Sequence, residues 1–127
     1  MKLERILYVE DDMDIQLIAR IALEKVGGFT VEICSSGQEA LTKVPIFQPQ
    51  LVLLDVMMPD MDGPTTLNEL RKLPVMNNIP VIFLTAKSQS REIESYQSLG
   101  VVGTIVKPFD PMSLHTSIHK LWEQRIL

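Results

Sequence analysis

VLLDVMMPDMDG, residues 52–63, carries an apolar run straight into Asp55 and then into a loop of methionines, a proline and two more aspartates. A short uninterrupted apolar run bounded by turn-forming residues reads as a strand buried on both faces of a parallel sheet. In full the run extends from Gln50 to Asp55. The pattern recurs from Arg5 to Glu10, Pro80 to Thr85 and Gly103 to Lys107, with a weaker version from Phe29 to Cys34. Helical spacing fills the gaps. Ile15, Ile18, Ala22 and Val26 share one helix face that stops at Gly27 and Gly28, and Ser36 to Val44 gives a second helix ended near Pro45. Pro64 suits the first turn of a third helix with Leu67 and Leu70, while Asp110 and Pro111 start a last one that turns Leu114, Ile118, Leu121 and Trp122 inward. The stretch from Ser88 to Leu99 offers only Ile93, Tyr96 and Leu99 for packing, so this fourth helix is expected to be the least firmly held. Five alternations of strand and helix, with right-handed crossovers, predict an α/β fold: a doubly wound (βα)5 three-layer sandwich around a parallel five-stranded sheet.

Residues 1–127 read as one domain, because a chain of 127 residues fills one hydrophobic core and not two. With 46% hydrophobic and 22% charged residues the composition is that of a soluble globular protein. The net charge of −4, with no cluster of Lys and Arg, argues against nucleic acid or an anionic membrane surface as a direct partner. Cys34 is the only cysteine, which excludes an internal disulfide and a cysteine-based zinc site and agrees with a reducing compartment. The opening MKLERILYVEDD reaches acidic residues too soon for a signal peptide, and no apolar run approaches the ~18 residues of a membrane span, so the cytoplasm is the expected location.

The polar residues gather at the carboxyl ends of the strands. Glu10, Asp11 and Asp12 follow the first, Asp55 ends the third, Thr85 the fourth and Lys107 the fifth. In a parallel sheet those ends share one edge, beside the crevice where such folds bind ligands. Asp11, Asp12 and Asp55, brought together there, are three carboxylates that repel unless one takes a proton or a cation is bound. Hard oxygen donors suit Mg²⁺, which keeps several waters and takes one or two protein carboxylates together with phosphate oxygens. A charged lysine cannot ligate a metal, but its compact ammonium suits a phosphoryl oxygen, and the Thr85 hydroxyl can donate to another. Asp55 is the candidate nucleophile: an ordinary aspartate pKa of about 3.9 leaves it ionised at neutral pH without a general base.

Together, the acidic pair Asp11 and Asp12, the acceptor in LVLLDVMMPDMDG, the FLTA carrying Thr85 and the VKPFD carrying Lys107 resemble the receiver domain of two-component response regulators, of the chemotaxis-regulator type, from Leu3 to Leu127. The resemblance implies a flavodoxin-like sheet of order 2-1-3-4-5 and a cis Lys107-Pro108 peptide. It implies a phosphorylation-activated signalling switch in which Asp55 accepts a phosphoryl group from a sensor histidine kinase or histidine phosphotransferase. Thr85 and Lys107 would assist, and Mg²⁺ would be held by Asp12, Asp55 and the Met57 carbonyl, with Asp11 helping through water. Such a domain catalyses only its own phosphotransfer and autodephosphorylation, and is not an enzyme acting on other substrates. Output is implied through the face of the fourth helix, fifth strand and fifth helix. With no DNA-binding or enzymatic segment after Trp122, it would reach a downstream protein target or a fused output domain, and a phosphorylation-dependent homodimer is admitted. The chain departs from the family in GVVGTIVKPFD, where Thr104 stands in place of the usual switch aromatic and Val101 and Val102 replace small or acidic residues. Met57 and Lys87 flank the site and are placed to tune the lifetime of the phosphoryl group.

Plainer readings exist for each residue. Asp11 and Asp12 would serve as a helix cap, Lys107 alone as a surface lysine, and Thr85 and Thr104 as β-branched strand residues. PDMDG followed by Glu69 imitates a calcium loop, but Met58 fills the first ligand position. His115 and His119 lie one helical turn apart without an obvious third ligand and read as a solvated helix face. A magnesium-dependent phosphatase of the haloacid dehalogenase type needs a second aspartate two positions after the nucleophile, where this chain has Met57. A pseudo-receiver that binds partners without phosphorylation is motivated by Thr104 alone.

Overall fold

The computed structural model describes residues 2–86 and 99–125. Five strands, β1 (Arg5–Val9), β2 (Thr30–Cys34), β3 (Leu51–Asp55), β4 (Val81–Ala86) and β5 (Val101–Lys107), form one parallel sheet in the order β2-β1-β3-β4-β5. Helices α1 (Met13–Arg20), α2 (Gly37–Phe47), α3 (Gly63–Leu70) and α4 (Leu114–Gln124) cover its faces. The doubly wound architecture, the strand order and the cis Lys107-Pro108 peptide are as expected from the sequence.

Side chains alternate along each strand, so an unbroken apolar run feeds two cores at once. Ile6, Tyr8, Leu51, Leu53, Ile82 and Leu84 pack with Ala19, Ala22, Leu23, Leu114, Ile118 and Trp122 under α1 and α4. Their neighbours Leu7, Val9, Val52, Leu54, Val81 and Phe83 pack with Ala40, Val44, Leu67 and Leu70 under α2 and α3. Each fully buried Leu or Ile contributes roughly 1.5–3 kcal/mol through burial, and truncating Leu53 to Ala would cost about 2–5 kcal/mol.

The boundaries depart from the sequence reading where local geometry overrides spacing. After α1 the chain continues as a π-helical segment, Ile21–Val26, that ends with the Gly27 N–H donating to the Ala22 carbonyl. Ala19, Ala22 and Leu23 face the core, whereas Ile18 is exposed together with Met13, Leu17 and Ile21. Of the face that the spacing predicts, Ala22 is buried, Ile15 and Val26 are half-buried and Ile18 alone is exposed, so the covered face is turned toward Ala19 and Leu23. α2 runs through Pro45 to Phe47, because a proline near a helix end forfeits one hydrogen bond there, and Gln48 then turns left-handed with φ 53°. α4 begins at Leu114 after a turn in which Asp110 Oδ1 accepts from the Met112 N–H. β5 starts at Val101, two residues early, since Gly100 at φ +86° makes the turn that lets Val101 pair with Val81. Of the expected fourth helix, Ser88 to Leu99, all but Leu99 lies outside the described residues, as does Lys87.

Candidate functional site

The chain reverses its progress across the sheet between β1 and β3, so the carboxyl ends of these neighbouring strands flank the crevice of a switch point. Counting by twos along the face under α1 and α4, Ile6 and Tyr8 lead to Glu10, Leu51 and Leu53 to Asp55, and Ile105 to Lys107. Each polar residue therefore continues a core-facing row at the point where the sheet ends. The burial this imposes is nearly complete: Glu10 is 1% exposed and Asp55 2%.

Lys107 Nζ lies 3.0 Å from Asp55 Oδ1 and 3.0 Å from Glu10 Oε1. The Tyr8 hydroxyl donates to that same Oε1 at 2.9 Å, and the backbone N–H of Asp12 donates to Oε2 at 3.2 Å. Carboxylate oxygens of Glu10, Asp11 and Asp55 come within 4.8 Å of one another. Burial, followed by the negative charge of Glu10, pushes the Asp55 carboxyl up to about 7 against the opposing pull of Lys107. Burial would lower the Lys107 ammonium, but its bonds to Asp55 and Glu10 more than reverse this and its pKa is raised. Among the described residues one cation thus faces three carboxylates. An added divalent ion with oxygen preference fits this donor set, since it relieves the repulsion that holds Asp55 partly protonated.

Asp12 is placed differently from the sequence reading. It is the N-cap of α1, its side chain accepting from the N–H groups of Asp14 and Ile15, and Glu10 joins Asp11 and Asp55 in its stead. The physical reason is the strand end: the apolar run of β1 stops at Val9, so Glu10 and not Asp12 occupies the place that Asp55 and Lys107 hold on their own strands. That parity was the available signal. Thr85 is buried at the same edge, one residue past Leu84, the register partner of Asp55, and its hydroxyl donates to the Ala86 carbonyl at 3.1 Å. Met57 follows β3 with its side chain exposed. The loop after β3 closes through the Gly63 N–H, which donates to the Val56 carbonyl at 2.8 Å. A Cβ on Gly63 would come within 2.6 Å of the Asp55 carbonyl oxygen, so only glycine lets α3 start directly beneath the acceptor. His119 packs on Phe29 with ring centroids 5.3 Å apart, and Cys34 is a core thiol that burial pushes up to about 12.

A family model described as the response regulator receiver domain matches residues 6–119. The chain belongs to that family. It is 38% identical over 118 residues to the probable transcriptional regulator ycf27 of Cyanophora paradoxa, covering 93% of this chain and 48% of that protein. The chemotaxis protein CheY4 of Vibrio cholerae superposes with a TM-score of 0.85 at 26% identity, covering 94% of this chain and 99% of that one. A CheY-like receiver domain protein of Methanospirillum hungatei gives 0.81 at 32% identity, with 97% of each chain covered. This receiver domain spans about half the length of the curated relatives it matches. Receiver domains bind Mg²⁺ at an acidic pocket, and in this one Glu10, Asp11 and Asp55 form such a pocket. Among the described residues no helix is long and apolar enough to cross a membrane.

Proposed function

We propose that this receiver domain takes a phosphoryl group onto Asp55 from a phosphohistidine, on a sensor histidine kinase or a histidine phosphotransferase, in the cytoplasm. The observation that carries the reading is a buried aspartate held 3.0 Å from a lysine ammonium and flanked by two further carboxylates. A carboxylate oxygen of Asp55 attacks phosphorus as the phosphorus–nitrogen bond to the imidazole breaks, and the imidazole leaves with the bonding pair. Lys107, already beside Asp55, is positioned to hold a phosphoryl oxygen as negative charge shifts onto it, and the Thr85 hydroxyl stands at the same edge to donate to another. Bound Mg²⁺ supplies the positive charge that lets an anionic donor approach this acidic pocket. Glu10, Asp11 and Asp55 are the side chains that would hold it, with the Met57 carbonyl as a further oxygen ligand. The domain acts on itself alone, by phosphotransfer and autodephosphorylation.

The donor needs a surface to dock on, and α1 offers one. Met13, Leu17 and Ile21 stand exposed four residues apart along the helix that starts directly after the acidic residues. A helical partner laid along this stripe would bring a phosphohistidine to the mouth of the site. Output is assigned to the other flank, where Thr104, Val106, Phe109, Ser117 and Leu121 line a cavity of about 410 Å³ between β5 and α4. Thr104 sits there in place of an aromatic residue, so the signal passes to a downstream protein, a fused output domain or a second copy without a ring to rotate.

Incubation with Mg²⁺ and a small acyl phosphate tests the reading. Intact mass should show an acid-stable, base-labile phosphoryl adduct that Asp55→Ala abolishes; no adduct on the unaltered protein would sink it, and steady phosphate release from unrelated esters would indicate a phosphatase instead.

A further inference from the structure

We propose that Tyr8 is a positioning residue, whose hydroxyl fixes the Glu10 carboxylate for Mg²⁺. The inference rests on the reading of Glu10, Asp11 and Asp55 as a Mg²⁺ site. Tyr8 lies two residues before Glu10 on the same strand face, and its ring is 1% exposed inside the core under α1 and α4. A phenylalanine would fill the same space, so the hydroxyl adds nothing to packing; its use is the 2.9 Å bond to Glu10 Oε1. A tyrosine hydroxyl, with an ordinary pKa of about 10, is protonated at neutral pH and serves as the donor in this bond.

The bonds around Glu10 give this geometry a direction. Oε1 accepts from both Tyr8 and Lys107, which uses both of its lone pairs, whereas Oε2 accepts only the Asp12 N–H among the described residues. Oε2 therefore keeps a lone pair, and it is this oxygen that is assigned to the cation. Glutamate has one more rotatable bond than aspartate and would lose more freedom on binding a metal. Tyr8 removes part of that freedom beforehand, as outer-shell donors do for metal ligands in general.

The test compares Tyr8→Phe with the unaltered protein, unphosphorylated, in calorimetric Mg²⁺ titrations. Loss of an outer-shell bond should weaken Mg²⁺ binding about tenfold, while the rate of acyl phosphate labelling at saturating Mg²⁺ stays within about twofold. In a Glu10→Asp background the shortened carboxylate no longer reaches Tyr8, so the added Tyr8→Phe change should have almost no effect on affinity. Equal Mg²⁺ affinity in Tyr8→Phe overturns the inference, as does an undiminished tenfold loss in the Glu10→Asp background, which would mark general softening of the core. Should Tyr8→Phe fail to fold, tyrosine-ring ¹³C resonances in the unaltered protein decide: the Tyr8 Cζ signal should shift on Mg²⁺ addition with the midpoint of the Asp55 amide, and an unmoved signal overturns the inference. Unaltered protein that binds no Mg²⁺ overturns the reading of the site itself, and Tyr8's role with it.

Discussion

The Lys107 ammonium stands 3.0 Å from Oδ1 of Asp55, yet the Asp55 carboxyl is still pushed up to about 7. A single lysine does not offset burial together with the charge of Glu10. The site is thus under electrostatic strain that a proton on Asp55, or a divalent cation, relieves.

A pH dependence with a definite sign follows. The folded pKa of Asp55 lies above the ordinary aspartate value of about 3.9, so protonation favours the folded state. The stability this contributes is complete below about pH 4 and is lost as pH rises toward 7. Urea unfolding without metal should therefore show Asp55 lowering stability across that range, and Asp55→Asn should flatten the profile and raise stability at pH 8 by about 1 kcal/mol or more. Saturating Mg²⁺ should stabilise the unaltered protein at pH 8 far more than at pH 5; an equal effect at both would contradict the assignment.

Removing the ammonium should hurt most where the carboxylates are charged. Lys107→Met leaves Glu10 and Asp55 buried without their cation, and breaking a well-buried pair costs about 3–5 kcal/mol. The lysine side chain is one-fifth exposed, so solvent screening reduces the expected loss to about 1–3 kcal/mol at pH 8, and to less at pH 5. Denaturant midpoints at the two pH values check this, and a loss independent of pH would mean that the lysine acts through packing.

Asp11 and Asp12 are adjacent in sequence and should behave as different kinds of residue. Asp12→Ala removes the two cap bonds to Asp14 and Ile15 and should cost about 1 kcal/mol of stability with Mg²⁺ affinity nearly unchanged. Asp11→Ala should abolish most Mg²⁺ binding and leave metal-free stability level or slightly raised, since it removes one of three crowded charges. Paired thermal melts and Mg²⁺ titrations separate the two; loss of Mg²⁺ binding in Asp12→Ala would return that residue to the metal site.

The sheet and its working edge were legible because burial on both faces writes itself as unbroken apolar runs; Asp55 and Lys107 end their strands, and Thr85 stands one residue before the end of β4. The acidic pair was blurred because Glu10, Asp11 and Asp12 are consecutive carboxylates, and a helix cap prefers the same residue type as a metal site. Tyr8 was hidden for another reason: in a run of apolar residues its ring reads as core, and only the two-residue strand period places its hydroxyl beside Glu10. The face of α1 was legible only in part: Ala22 is core as expected, but Ile18 is exposed while Ala19 and Leu23 are buried, because which side of an apolar-rich helix is covered depends on tertiary packing.

The exposed stripe yields the sharpest distinction between donors. Leu17 is 63% exposed, so Leu17→Glu should leave the fold intact, with thermal stability changed by less than about 0.5 kcal/mol. A charge at the centre of an apolar docking surface should nevertheless slow phosphotransfer from a phosphohistidine protein by about tenfold or more, the equivalent of roughly 1.4 kcal/mol of lost contact. An acyl phosphate needs no docking surface and should label Asp55 in Leu17→Glu at the unaltered rate. The comparison uses the cognate kinase or phosphotransferase with radiolabelled phosphate, at subsaturating receiver concentration so that binding is rate-determining. Equal slowing with both donors would mean that the substitution disturbs the Asp55 site through the start of α1, whereas unchanged transfer from the protein donor would show that it docks elsewhere.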